Sequence, residues 1–324
     1  MDAPTKRAAL FLLLATGPLA EVLSQNVPLL TFLSPLPFIL VTLTYGVPVL
    51  LIRELAVARS LNTMGLVLLG LAYGILNEGV LAKTLTQPGG PPLEDFAGYG
   101  VIGALQGGWT IFMVFWHAPH SVLYPIFLCD WMFPAAAGRR WFGSGRSRWV
   151  LYLLLVILAW LYSLYFQNPV RNDPGTFLLY AIATAGLAGL ALRFCRAHAS
   201  RSRTPTTNPL RLVLIGASTL VFYVFQFWAP SHIPFVLFFA VSGLILAMAM
   251  LGIARAGWRP VPELLLFGLG DALAFASFSS LLAIASHRNP LQAAAAGAIF
   301  LAVFLCLIRG VRREPLGRGV APNP

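Results

Sequence analysis

Cations occupy every second gap between the apolar runs of this chain, and that alternation leaves few folds open. A bilayer crossing needs about 20 apolar residues at about 1.5 Å each. On that measure spans fall near residues 8–25, 35–57, 63–82, 149–167, 175–194, 210–228, 233–253, 261–285 and 291–309, with one more crossing inside 99–133. Nineteen of the 22 Lys and Arg residues then lie on one side, among them Lys6, Arg7, Arg53, Arg139 and Arg140. Only Lys83, Arg171 and Arg288 lie on the other. Cytoplasmic loops carry such an excess. The sequence therefore predicts an all-α, polytopic transmembrane helix bundle of about ten spans with both termini cytoplasmic, in a bacterial-type plasma (inner) membrane.

Composition agrees. Hydrophobic residues make up 58% of the chain and charged residues 10%, against about a quarter charged in soluble domains. Membrane lipids are the main expected partner, and the net charge of +11 reads as attraction to anionic headgroups rather than to nucleic acid. Cys129, Cys195 and Cys306 are too dispersed for a disulfide framework or a cysteine metal motif. No Walker motif is present and no cofactor is called for. Residues 1–310 read as a single integral membrane domain and 311–324 as a disordered cytoplasmic tail. Lys6 and Arg7 ahead of an apolar run also have the layout of a signal peptide, but Pro18 would sit at −3 of a cut after Ala20, where a small residue is wanted.

Residues 99–133 are too long for one simple span and too short for three. They read as a broken or re-entrant segment, one crossing joined to an interfacial or re-entrant stretch, with Gly107, Gly108 and Pro119 as break points. Pro18 and Pro48 mark further irregular backbone. Gly70 with Gly74, and Gly103 with Gly107, have the spacing that lets membrane helices approach closely.

An ionisable group at mid-span costs about 2.5–3.5 kcal/mol on insertion scales, so it marks function by default. Glu21, Asn77, Glu78, His117 and His120 fall where three segments can converge on an outward-facing polar pocket, and Asp271 stands alone in a later span. Glu78 has no cation one helical turn away, which makes His117 its cross-helix candidate. The i, i+3 spacing of His117 and His120 puts both imidazoles on one α-helical face, where with Glu78 they offer three ligands for a zinc ion. Arg53 and Glu54 are adjacent and point to different sides; Arg53 reads as snorkelling to the headgroups and Asp130 as an interfacial anchor. Trp131, Trp141 and Trp149 fit an inner aromatic belt.

Two function classes follow. Intramembrane carboxylates at Glu21, Glu78 and Asp271, with broken helices, suit a secondary transporter that couples a small-molecule substrate to protons. Ten spans with both termini inside resemble the drug/metabolite transporter superfamily in architecture. The alternative is an intramembrane hydrolase with Glu78 as general base and His117 or His120 binding a metal or an oxyanion. Asn77-Glu78 and the stretch His117 to Ser121 resemble the glutamate and histidine motifs of the membrane-bound CAAX prenyl endopeptidases. One Glu replaces that family's pair, and neither His117 nor His120 has a Phe four residues before it. A noncatalytic membrane scaffold is the third class.

Overall fold

The computed structural model describes residues 2–86, 96–142, 174–195, 208–256, 261–285 and 289–313, with a few isolated positions between 145 and 157. Asp2 caps the first helix, α1 (Ala3–Gly17), by accepting from Thr5 N at 3.1 Å. Those hydrogen bonds hold its carboxyl below the ordinary carboxylate range. Helix α1 runs into a π-helical turn, Pro18–Val22. Then follow a single turn, α2 (Leu29–Phe32), and α3 (Pro35–Ala58), which continues through Pro48. Helix α4 (Thr63–Ile75), capped by Asn62, ends in a second π turn, Leu76–Leu81.

The segment expected to be one crossing joined to an interfacial or re-entrant stretch holds one crossing, which begins at the expected break point Gly107. Its first part is a short antiparallel hairpin, β1 (Val101–Ile102) and β2 (Leu105–Gln106), closed by a two-residue turn with Gly103 at φ 61°. Gly103 therefore serves the turn, not the helix packing its spacing suggested. From Gly107 the chain is one crossing: α5 (Gly107–Trp116), a third π turn (His117–Leu123) and α6 (Tyr124–Met132). Pro119 widens the helix here instead of ending it, because a π turn gives the proline ring room against the preceding turn.

The later helices are α7 (Pro174–Phe194), α8 (Pro209–Ala217), α9 (Leu220–Trp228), α10 (Phe235–Ala256), α11 (Val261–Ala285) and α12 (Pro290–Arg313). Residues 210–228, read as one helix, are broken at Ser218 and Thr219, whose hydroxyls bond back to Ile215 O and Gly216 O at 2.6 Å each. Helix α12 also extends to Arg313, so the expected tail boundary at 311 moves outward; residues 314–324 lie outside the described residues.

Seven helices among the described residues are long and apolar enough to cross a membrane, and Phe235–Leu251 is a shorter apolar one. Most of the expected span at 149–167 lies outside the described residues. The bundle is inside-out relative to a soluble protein. Leu30, Val221, Val236 and Leu291 are exposed at the surface, whereas Glu78, His117, His120 and Asp271 are buried. Surface apolar area on this scale is lipid-facing area. One apolar core reaches from Ala8 to Val311.

Glycines set the closest approaches. A Cβ on Gly216 would sit 2.0 Å from Phe267 O, and one on Gly270 2.1 Å from Val213 O, so α8 and α11 touch backbone to backbone. A Cβ on Gly70 would meet Ala118 Cα at 2.8 Å, which brings α4 against the third π turn. Gly270→Ala is expected to force α8 and α11 apart and destabilise by about 1–3 kcal/mol. Thermal unfolding in detergent checks this: an unchanged midpoint would mean that the contact relaxes freely.

Candidate functional site

All three π turns carry residues singled out from the sequence: Glu21 in the first, Asn77 and Glu78 in the second, His117 and His120 in the third. A π turn closes i to i+5 hydrogen bonds, is wider than an α turn and recurs at functional sites. The widening decides where side chains point.

His117 Nε2 lies 2.9 Å from Glu78 Oε1, and its Nδ1 lies 2.8 Å from Ser121 Oγ. Asn77 Nδ2 donates to the same Glu78 oxygen at 3.1 Å and reaches Tyr45 OH at 3.4 Å. Tyr45 in turn donates to Glu21, which also accepts from Asn26. On the other side Thr84 donates to Glu78 Oε2, and Trp109 Nε1 donates to Thr84 at 3.0 Å. Tyr45 stacks on the His117 ring and Tyr73 meets it edge-on. A continuous polar chain therefore runs Glu21–Tyr45–Asn77–Glu78–His117–Ser121. Tyr45, Asn77, Glu78, His117 and Ser121 are all buried, whereas Glu21 is partly exposed.

His120 does not join that cluster. It is fully buried, stacks on Trp116 with ring centroids 3.7 Å apart, and places Nε2 3.1 Å from Asp271 Oδ2. That contact is close but off the line of a good hydrogen bond, since Nε2 has no hydrogen-bonded partner among the described residues. Its Nδ1 faces Trp116 O at 3.2 Å. Tyr124 OH donates to Asp271 Oδ2 at 2.6 Å, and Thr219 also donates to this carboxyl. The expected His117–His120–Glu78 zinc site is therefore corrected. The i, i+3 rule for one face is α-helical, and on a π turn the two rings diverge to two different carboxylates. Among the described residues no group of three or more His, Cys, Asp or Glu side chains is placed to hold a metal.

A second charged cluster lies at the end of the bundle that holds residues 53–54 and 130–142. Arg53 is 1% exposed, which overturns the snorkelling expectation. Its Nη1 donates to Arg139 O at 2.5 Å, its Nη2 to Ala136 O at 3.0 Å, and its guanidinium lies 3.7 Å from the Trp141 ring centroid. Asp130 is 3.8 Å from Nη2, an internal partner rather than an interfacial anchor. Glu54 accepts from Trp141 N at 2.9 Å, and its Oε2 is 3.8 Å from Arg53 Nη1. The two adjacent side chains, read as pointing to different sides, both bond the same loop and come within 3.8 Å of each other there. That loop supplies the carbonyls the headgroups were expected to supply, and Trp141 is buried beneath Arg53 instead of standing in the aromatic belt.

Sequence reasoning missed Tyr45, Thr84, Tyr124, Thr219, Tyr223 and Gln226. Gln226 carried a usable signal, being the one amide in the apolar run Leu220–Trp228. It is fully buried, and neither side-chain polar atom has a partner among the described residues. The hydroxyl residues carried none, because Tyr and Thr are ordinary in membrane helices.

A family model described as "Uncharacterized membrane protein family" matches residues 10–314. The chain belongs to this family. The match covers all three π turns and both carboxylate–histidine couples, and the family's description agrees with the apolar, multi-helix architecture. No curated protein and no solved structure matches.

Proposed function

We propose that this member of the family is a proton-coupled secondary transporter of a small polar solute, in which Glu78–His117 and Asp271–His120 are the proton-handling groups and Glu21 lies at the outer end of the path. One observation carries the reading: two buried carboxylate–imidazole couples leave the same π turn in different directions. Glu78 and His117 can pass a proton along their 2.9 Å hydrogen bond, Asp271 and His120 stand close at 3.1 Å, and burial away from lipid is where membrane proteins keep such groups. Gln226, one helical turn from Tyr223, supplies an amide whose donors and acceptor are unused. Leaving them so costs about 1–3 kcal/mol, which a solute that both donates and accepts hydrogen bonds would recover. The chain through the end of α12 acts as one membrane unit, and the cation-rich end with Arg53, Arg139 and Arg140 faces the cytoplasm.

The test is uptake by proteoliposomes across a panel of small polar solutes, with and without an inward proton gradient. Concentrative uptake that appears only with the gradient is expected. Uptake indifferent to the gradient would overturn proton coupling. For a solute so found, Gln226→Leu is expected to raise KM about tenfold, the loss of one satisfied hydrogen bond at about 1.4 kcal/mol, and an unchanged KM removes Gln226 from recognition.

A hydrolase is the second reading, favoured by the line Glu78–His117–Ser121, which has the order of acid, base and nucleophile. Labelling by an alkyl fluorophosphonate that disappears in Ser121→Ala would favour it over transport.

A further inference from the structure

We infer that Glu21 and the side-chain oxygen of Asn77 hold a primary ammonium group, so that the small polar solute is an amine; this rests on the transport reading and names its substrate class. Two side chains from different π turns meet at one hydroxyl. Tyr45 OH, on α3, donates to Glu21, and Asn77 Nδ2 reaches the same hydroxyl at 3.4 Å. A single oxygen atom therefore separates the Glu21 carboxyl from the Asn77 amide. That amide has one definite orientation. Nδ2 also lies 3.1 Å from Glu78 Oε1, and turning the group over would set two oxygens at that distance. Asn77 Oδ1 is then left with no hydrogen-bond partner among the described residues, in a side chain only 2% exposed. Thr42, one turn before Tyr45 on the same face of α3, is likewise buried with its hydroxyl unpartnered among those residues.

What this place lacks is donors. Glu21 accepts from Tyr45 on Oε1 and from Asn26 on Oε2, both neutral groups, and a carboxylate has about four acceptor positions. A bare buried acceptor such as Asn77 Oδ1 is costly until something donates to it. A primary ammonium group carries three N–H donors and no acceptor. It can divide them between Glu21 and Asn77 Oδ1, and it brings a positive charge to a carboxyl whose other partners are neutral, which makes these the stronger kind of hydrogen bond. A ligand offering only acceptors would meet oxygen with oxygen, and a quaternary ammonium has the charge but no N–H to give. Glu21 is partly exposed and Asn77 is buried, so the site has an approach at one end and a closed end at the other. Asn77 also ties the site to the proton-handling pair. Its nitrogen bonds Glu78, which His117 holds at 2.9 Å, while its oxygen takes the amine.

The test is binding by the full chain in lipid nanodiscs, with no gradient, read as a ligand-dependent rise in the unfolding midpoint. Methylammonium is the probe. Tetramethylammonium, which has the same charge and no N–H, and sodium are compared with it at equal ionic strength. Saturable stabilisation by methylammonium alone is expected. Glu21→Gln, which keeps the shape, and Asn77→Ala are each expected to weaken it about tenfold or more, the loss of one hydrogen bond to a charged group. The comparison of the three cations needs no variant, so it decides even where a variant does not fold. No saturable shift, an equal shift with all three cations, a shift with sodium alone, or unchanged affinity in both variants would overturn the inference. Methylammonium binding beside gradient-indifferent uptake would overturn proton coupling alone. Gradient-driven uptake of an uncharged solute, with no methylammonium binding, would overturn the amine site alone.

Discussion

Arg53→Ala is expected to lower folding stability by about 3–5 kcal/mol, the range for breaking a buried charge pair by removing one partner. The guanidinium is 1% exposed and holds together Arg139 O, Ala136 O, Asp130 and the Trp141 face. Removing it takes a donor from both carbonyls and the paired cation from Asp130, while Ala136 O keeps Trp141 Nε1 at 2.9 Å and Glu54 keeps Arg140 at 3.6 Å. Arg53→Lys keeps the charge but not the planar fork that reaches two carbonyls at once, and should fall between. The check is thermal unfolding in detergent, with Glu54→Gln and the double variant alongside. If the clamp acts as a unit, the losses are non-additive. Wild-type-like unfolding of Arg53→Ala would show that the loop holds without it.

Glu78→Gln is expected to cut gradient-driven uptake by roughly 10²-fold or more, the scale on which removing a proton-transfer group acts, while solute counterflow continues. The substitution is isosteric. The Gln oxygen can still accept from His117 and Asn77 at the 2.9 and 3.1 Å now seen, so the shape is kept, and what is lost is the exchangeable charge and the bond that Oε2 accepts from Thr84. A structural role for Glu78 predicts a different pattern, in which uptake and counterflow fall together with thermal stability. Retained gradient-driven uptake would remove Glu78 from the proton path.

Much of the architecture was readable in the sequence because partition into lipid is settled run by run. The runs at 35–57, 63–82, 175–194 and 261–285 reappear within a residue or two as Pro35–Ala58, Thr63–Leu81, Pro174–Phe194 and Val261–Ala285. The polar residues were readable for the same reason, since Glu78, His117 and Asp271 are conspicuous against Leu and Ala. Their partners were not. His117 and His120, three residues apart, were read by α-helical geometry as one face, and the π turn sends one to Glu78 and the other to Asp271. Arg53, near a span end, was read by its hydropathy as reaching water, but a loop more than 80 residues later in the chain supplies its acceptors.

By itself, then, the sequence determined that this chain is a helical membrane bundle and which residues are costly to bury there, because both follow from the transfer of each segment from water to lipid. Tertiary structure alone decided which costly groups meet. Glycine contacts at Gly70, Gly216 and Gly270 set how closely helices approach, and the widened π turns set which way each side chain points. Neither property is local to a hydrophobic run.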